Sequence, residues 1–275
     1  MIKVSKYHGL GNDFVMMDYQ DVKGLNHSEM AKVLCDRRTG IGSDGLIIVK
    51  QHPLEMIYYN GDGSRAQMCG NGIRCFSKYL YDNGITNETT YDVVTLAGTM
   101  KINVLEVEPF IVEVNMGQPD YHPKEIPSLF EDEVINKTFN FNDEFIVASS
   151  LLMGVPHTVT EIDKFDIERM VSVGRFFETN EMYPQGTNVN FYQILNHDTI
   201  KMQTFERGAG LTLACGTGAC ATFAHLYRIG LVNNNCAISL PLGELVIREE
   251  NKNIFMSGPA VKVMDGVINE EGYKW

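Results

Sequence analysis

Short runs of β-branched and aromatic residues, broken at close intervals by Gly, Asn, Asp and Pro, dominate the hydrophobic pattern of this chain. Runs at 46–49, 56–59, 91–95, 101–105, 111–114, 145–148, 188–194, 200–205, 237–240, 244–248 and 260–267 predict strands. Turn signals such as Asn60-Gly61-Asp62-Gly63 and Asp265-Gly266 punctuate them. Apolar residues at three- and four-residue spacing predict helices at 29–37, 72–83, 167–177 and 218–229. Many strands, mostly antiparallel, with few helices make an α+β fold. The stretch from Met116-Gly117-Gln118-Pro119 to Ile126-Pro127 is rich in Pro and polar residues and predicts a linker near mid-chain.

Cys69-Gly70-Asn71-Gly72 in the first half is matched by Cys215-Gly216-Thr217-Gly218 in the second. Each cysteine precedes a helical pattern that ends at a glycine 15 residues on, Gly84 and Gly230. Nine residues before each stands a polar side chain that opens a Gly-containing loop, Asn60 and Glu206. One such tetrapeptide is weak evidence because glycine pairs are common. Two copies with the same spacing on both sides predict two related domains facing each other.

Composition narrows the classes. The 275 residues are 44% hydrophobic and 21% charged, which is globular and long enough for one large or two medium domains. Lys and Arg total 23 against 35 Asp and Glu, a net charge of −12, which argues against a nucleic-acid surface but leaves room for an anionic small substrate. No apolar run reaches the roughly 18–20 residues of a membrane span, and Met1-Ile2-Lys3-Val4-Ser5-Lys6 does not read as a secretory leader, so a cytoplasmic protein is expected. Six cysteines are too sparse for a disulfide scaffold and should be thiols in that compartment.

The first turn of a helix presents unpaired N–H groups and the positive end of a dipole, and flanking glycines let a ligand approach the backbone. Such a start binds a carboxylate or phosphate, and a cysteine placed there has its thiolate stabilised. Cys69 and Cys215 fit this description, whereas Cys35, Cys75, Cys220 and Cys236 lack the glycines and are assigned to packing. The cysteine spacings match no metal motif: neither a C-x-x-C nor an H-x-x-x-H pair occurs. Neither Cys69-Gly70-Asn71-Gly72-Ile73-Arg74 nor Gly9-Leu10-Gly11-Asn12-Asp13-Phe14 completes a nucleotide-binding fingerprint. A thiolate and a thiol on opposite sides of one carbon suit inversion of a carbon acid beside a carboxylate, a reaction that requires no cofactor.

Several segments resemble the diaminopimelate epimerase family in order and over nearly the whole chain. They are Gly9-Leu10-Gly11-Asn12-Asp13-Phe14, Asn60-Gly61-Asp62-Gly63-Ser64, Cys69 to Cys75, Pro156-His157, and Glu206 to Gly218. The resemblance implies a pyridoxal-independent epimerase of LL- and meso-diaminopimelate in lysine and cell-wall precursor synthesis. It implies two similar domains, each a mostly antiparallel sheet curled around a central helix, with the active site in the cleft between them. Because the last strand of that family returns to the first domain, the expected division is 1–117 plus 263–275 for the domain of Cys69, and 118–262 for that of Cys215. A homodimer is also implied, with a small amino-acid substrate and neither nucleic acid nor membrane as partner.

By that resemblance Cys69 and Cys215 are the acid/base pair, and Gly70, Asn71, Gly216 and Thr217 hold the reacting α-carboxylate. Asn12, Asn60, Asn188 and Arg207 hold the far end of the substrate, Arg207 by a two-pronged contact. Glu206 and His157 are polar residues beside the reacting centre and candidate partners of its ammonium group. Three positions depart from the family: Val155 stands where many members have Asn, Leu211 where many have Glu, and Gly45 where many have Gln. The alternatives are a racemase of another amino acid, of the proline or hydroxyproline type, on the same scaffold, and a non-catalytic thiol redox sensor.

Overall fold

The computed structural model describes residues 1–269. The chain opens with strands β1 (Ile2–Gly9) and β2 (Asn12–Asp18), a single-turn helix α1 (Tyr19–Val22) and helix α2 (His27–Cys35). Strands β3 (Gly45–Lys50) and β4 (Glu55–Asn60), helix α3 (Gly70–Asp82) and strands β5 (Thr90–Thr95), β6 (Gly98–Val107) and β7 (Phe110–Gly117) follow. Next come β8 (Lys137–Phe141), β9 (Glu144–Met153), β10 (Val155–Glu161), α4 (Ile167–Glu178), β11 (Asn188–Asn196), β12 (Thr199–Glu206) and the short β13 (Gly210–Thr212). Helix α5 (Gly216–Arg228) and strands β14 (Asn235–Leu240), β15 (Gly243–Glu250), β16 (Asn253–Pro259) and β17 (Val261–Ile268) complete the described chain. The fold is α+β, dominated by strands.

The elements form two compact units. One comprises Met1–Val114 with the chain from Gly258 onward, the other Asn115–Ser257. Within the C-terminal segment expected at 263–275, β17 pairs antiparallel with β1, Ile2 opposite Ile268; residues 270–275 lie outside the described residues.

The two units repeat one plan. In the first, β17, β1 and β2 are antiparallel neighbours, β2 runs parallel to β3, β3 antiparallel to β4, and β4 parallel to β5, which leads into the antiparallel β5-β6-β7. In the second, β8-β9-β10, β11, β12 and β14-β15-β16 follow the same sequence of directions, with β13 added beside β12. Registers match as well. Tyr59 and Phe205 each lie ten residues before a cysteine of the repeat. Tyr59 pairs with Leu46 and Leu46 with Val15; Phe205 pairs with Val189 and Val189 with Thr158. Asn12 therefore corresponds to Val155, Phe14 to His157, Ile47 to Asn190 and Tyr58 to Thr204.

Parallel pairs covered on both faces need apolar residues on both, and alternation sorts them. In the first unit Val15, Met17, Leu46 and Ile48 pack with Met30, Ala31 and Leu34 of α2. Phe14 and Ile47, on the other face, lie against Gly72 of α3. In the second unit Val189, Phe191 and Phe205 pack with Met170, Val173 and Phe177 of α4, while Asn190 and Thr204 lie against Gly218 of α5. Each sheet thus curls around a buried central helix and carries a second helix on its outer face.

The sequence pattern locates eleven of the strands but leaves β1, β2, β8, β10, β13 and β16 as connections. At β1 and β2 the Gly-Leu-Gly motif hides a hairpin: Leu10 (φ 56°) and Gly11 (φ 90°) make its two-residue turn. At β10 the segment Val155-Pro156-His157-Thr158-Val159-Thr160 buries polar side chains, so no hydrophobic alternation marks it. Helix α2 starts at His27 rather than 29 because the Asn26 side chain accepts from the Glu29 N–H at 3.3 Å. It stops at Cys35 rather than 37 because the Asp36 carboxylate accepts from the N–H groups of Arg38 and Thr39, which turns the chain away.

Candidate active site

Helices α3 and α5 are the same device twice. Cys69 (φ −136°, ψ 123°) and Cys215 (φ −120°, ψ 105°) occupy the extended N-cap positions, and each helix then runs for 13 residues. Both end in the same closing turn. Gly84 (φ 63°) donates to Tyr81 O and Ile85 to Leu80 O, at 3.1 and 2.9 Å; Gly230 (φ 75°) donates to Tyr227 O and Leu231 to Leu226 O, each at 3.0 Å. This glycine-dependent cap explains the 15-residue spacing seen in the sequence.

In the first unit Cys69 is half-buried, and its Sγ accepts the Gly72 N–H at 3.4 Å and donates to Asn12 Oδ1 at 3.5 Å. Asn71 Nδ2 donates to the same Asn12 oxygen at 3.1 Å, so Cys69, Gly70, Asn71 and Asn12 are brought together. Beneath them the fully buried Arg74 donates to Gly70 O, Asn71 Oδ1 and Pro259 O at 3.1, 3.0 and 3.2 Å. A Cβ on Gly9 would stand 2.9 Å from Arg74 Nη2, which is why that position is glycine. Asn60 ends β4 opposite Gly45. Its Oδ1 accepts from Tyr58 Oη and its Nδ2 donates to Ser64 Oγ, both at 2.9 Å, which fixes the amide. A side chain at Gly45 would meet the Tyr58 ring at 2.6 Å, so Tyr58 fills the space that a glutamine there would need.

In the second unit Cys215 is buried, with its Sγ 3.6 Å from Thr217 Oγ1. His157 is fully buried and its Nδ1 lies 3.1 Å from Asn190 Nδ2. That amide also donates to Thr158 O, and its oxygen accepts from Thr204 Oγ1 at 3.0 Å, so its nitrogen faces the ring. His157 Nδ1 must then accept, and the ring proton sits on Nε2, a buried donor with no hydrogen-bond partner among the described residues. Burial, reinforced by Arg207, lowers the His157 pKa to about 3, so the ring is neutral. Asn188 Oδ1 accepts the Arg207 N–H at 3.0 Å, Arg207 Nη1 donates to Gln185 O at 2.8 Å, and Glu206 Oε1 accepts from Thr212 Oγ1 at 2.6 Å. Asn188 and Arg207, with Glu206 next in the chain, thus lie where β11 begins and β12 ends.

Cys75, two turns into α3, is fully buried and burial pushes its thiol well up; Cys35 and Cys236 are raised for the same reason. Sequence reasoning passed over Asp44, Arg74, Tyr58, Asn190 and Thr204. Arg74 lies inside the Cys69–Cys75 segment and Asp44 directly precedes Gly45, and Asn190 alternates with Asn188 in an apolar strand, a signal of a polar inner face.

The chain matches the family model for diaminopimelate epimerase over residues 4–122 and 149–263. It is 42% identical over 274 residues to the diaminopimelate epimerase of Alkaliphilus metalliredigens, covering 97% of each chain. With that of Clostridium perfringens it is 44% identical over 273 residues, covering 96% of this chain and 98% of the relative. Among solved structures, a probable proline racemase from Agrobacterium radiobacter shares the fold, with a TM-score of 0.73 at 14% identity over 99% of this chain and 94% of the other. Identity at that level over the full length, with the family's motifs set at matching helix starts, makes this chain an isomerase belonging to the diaminopimelate epimerase family.

Proposed function

We propose that the protein interconverts LL- and meso-diaminopimelate by a two-base reaction in which Cys69 and Cys215 exchange protons with one α-carbon and no cofactor takes part. The observation that carries this reading is the cysteine-capped, glycine-flanked helix start present once in each unit. One cysteine, as thiolate, removes the α-proton and becomes a thiol; the other thiol delivers its proton to the opposite face and becomes a thiolate. The C–H electron pair passes into the α-carboxylate in the transition state. N–H groups of the first turns at Gly70, Asn71, Gly216 and Thr217 are assigned to hold that charge, since a helix start favours an anion.

Arg207, with Asn12, Asn60 and Asn188, is assigned to the distal carboxylate and ammonium, a need that a substrate such as proline lacks. The buried His157 offers a donor at Nε2, which suits an anion, so the reacting ammonium is left to Glu206. Val155 and Gly45 remove two side-chain amides that many relatives carry, and the Tyr58–Asn60 pair stands on the Gly45 side. The reading places the enzyme in the cytoplasm, as a homodimer serving lysine and cell-wall precursor synthesis. The test is turnover of LL-diaminopimelate in deuterated water, with meso product carrying solvent deuterium at the α-carbon. Racemisation of proline with diaminopimelate untouched would refute it.

A further inference from the structure

Helix α4 lies on the outer face of the second sheet, and the roles assigned above give it no part in binding. Its last residue, Glu178, is a carboxylate at the negative end of the helix dipole, a placement that helix formation disfavours. Two contacts offset this. Arg175 Nη1 pairs with Oε2 at 2.8 Å, but Arg175 is largely exposed and such a pair adds little. The other oxygen, Oε1, accepts the Gly208 N–H at 2.6 Å, and the Glu178 side chain is only 13% exposed. The packing of α4 sets this reach. A Cβ on Gly174 would stand 2.4 Å from Phe205 Cγ, so the helix lies flush against β12. One turn later Glu178 passes the end of that strand, at Glu206, and meets the turn that leads into β13.

Arg207 sits on that turn. Its own N–H is on Asn188 Oδ1 and that of Gly208 is on Glu178, so the backbone is clamped on both sides of its Cα. Its stem runs over Gly186, where an added Cβ would lie 3.8 Å from Arg207 Cδ and 3.1 Å from Glu178 O. Its Nη1 donates to the neutral Gln185 O, and Arg207 makes no ion pair among the described residues, which leaves its charge for a ligand.

The first unit keeps the neighbourhood without the clamp. Gly61 stands eight residues before Cys69, as Arg207 does before Cys215. Helix α2 also ends beside it, with Cys35 Cβ 3.4 Å from where a Cβ on Gly61 would stand. Yet the Gly61 N–H goes to a backbone acceptor, Asp44 O, at 3.1 Å. Backbone contacts suffice to hold a glycine turn; the side-chain clamp occurs where an arginine has to be aimed.

We propose that Glu178 is a positioning residue for Arg207: by holding the Gly208 N–H it sets the guanidinium for the distal carboxylate of the substrate. This rests on the distal role assigned to Arg207 under the proposed function. A two-pronged contact tolerates little rotation, so releasing the turn weakens binding at the end remote from the α-carbon and leaves proton transfer alone.

The experiment is steady-state epimerisation of LL-diaminopimelate by Glu178 variants, joined to amide hydrogen exchange of the intact proteins read by peptide mass spectrometry. Glu178→Ala raises KM about tenfold with kcat within about twofold of wild type, and exchange quickens in peptides spanning 206–212. Glu178→Asp keeps the charge but falls one carbon short, and behaves like Glu178→Ala. Glu178→Gln loses the charge but keeps an oxygen in reach, and recovers most of the loss. Added to Arg207→Ala, which itself raises KM, Glu178→Ala brings no further rise. An unchanged KM in the Ala and Asp variants, a loss confined to kcat, recovery by Asp rather than Gln, or an additive rise with Arg207→Ala overturns the inference. A wild type that leaves diaminopimelate untouched refutes the proposed function instead, and exchange at 206–212 then still reports whether Glu178 holds the turn.

Discussion

The bed beneath α3 is made of rings and hydrocarbon, Phe14, Ile47 and Tyr58, with Phe14 and Tyr58 edge to face at 5.8 Å. The bed beneath α5, built from the corresponding positions, is His157, Asn190 and Thr204, joined by hydrogen bonds. Strand order, register, helix length and closing turns are shared, so the backbone plan does not dictate what lies under the helix. The outer faces, packed on α2 and α4, are apolar in both units and can hold the sheet together. Freed of that duty, the inner faces diverged, one into inert support and the other into a polar network around a neutral histidine.

The comparison breaks most sharply at sulfur. If both helix starts take part in proton transfer, Cys69→Ala and Cys215→Ala each lower epimerisation about a thousandfold or more, measured as inversion with deuterium incorporation. Either variant working at the wild-type rate would remove that cysteine from the reaction.

A smaller effect separates the beds themselves. A methyl group at Gly218 would lie 2.3 Å from Asn190 Oδ1 and 2.9 Å from Thr204 Oγ1, atoms that hydrogen bonds hold in place. At Gly72 the nearest atom is Ile47 Cδ1 at 3.0 Å, the far end of a side chain that can turn aside. Gly218→Ala should cost about 1–3 kcal/mol and several degrees in melting temperature. Gly72→Ala should cost less than about 1 kcal/mol, helped by the helix preference of alanine. Equal losses by thermal unfolding would mean that the two beds are alike in rigidity.

Another difference appears only in acid. His157 has its pKa lowered to about 3, and His225 on α5, where burial and then Arg228 act, to about 4. Both stay neutral in the folded chain, while the unfolded chain binds protons below about pH 6.5. Their contribution is therefore complete above pH 6.5. It is lost as pH falls toward 4 and 3, by up to about 1.4 kcal/mol per pH unit for each. Asp13, whose pKa is lowered from 3.8, acts in a separate window below about pH 4. Urea unfolding at pH 7 and pH 5 checks this, and His225→Leu should remove about half of the difference. An unchanged difference would exclude His225 as a contributor.

The duplicated Cys-Gly-x-Gly segments and their distant glycines were readable in the sequence because a cap at each end of a helix leaves fixed spacings. Strand β3 was readable as a continuous apolar run because it is buried on both faces, and β5 by its alternation. Strand β10 and the Asn190–Thr204 pair were not, since a buried polar face looks like a loop when only hydrophobicity is followed. The hydrogen bonds from Asn12 to Asp44 and from Cys69 to Asn12 were equally silent: their members are 32 and 57 residues apart along the chain, and only the β2–β3 pairing and the start of α3 bring them together.

Strand β17 closes the first unit by pairing with β1, although more than 250 residues of chain separate Ile2 from Ile268. On the ribosome the second unit, a continuous stretch from Asn115 to Ser257, is available to fold before the first has all its parts. The edge of β1 stays open until β17 has been made. A premature stop ahead of β17 would thus injure the unit whose translation began first.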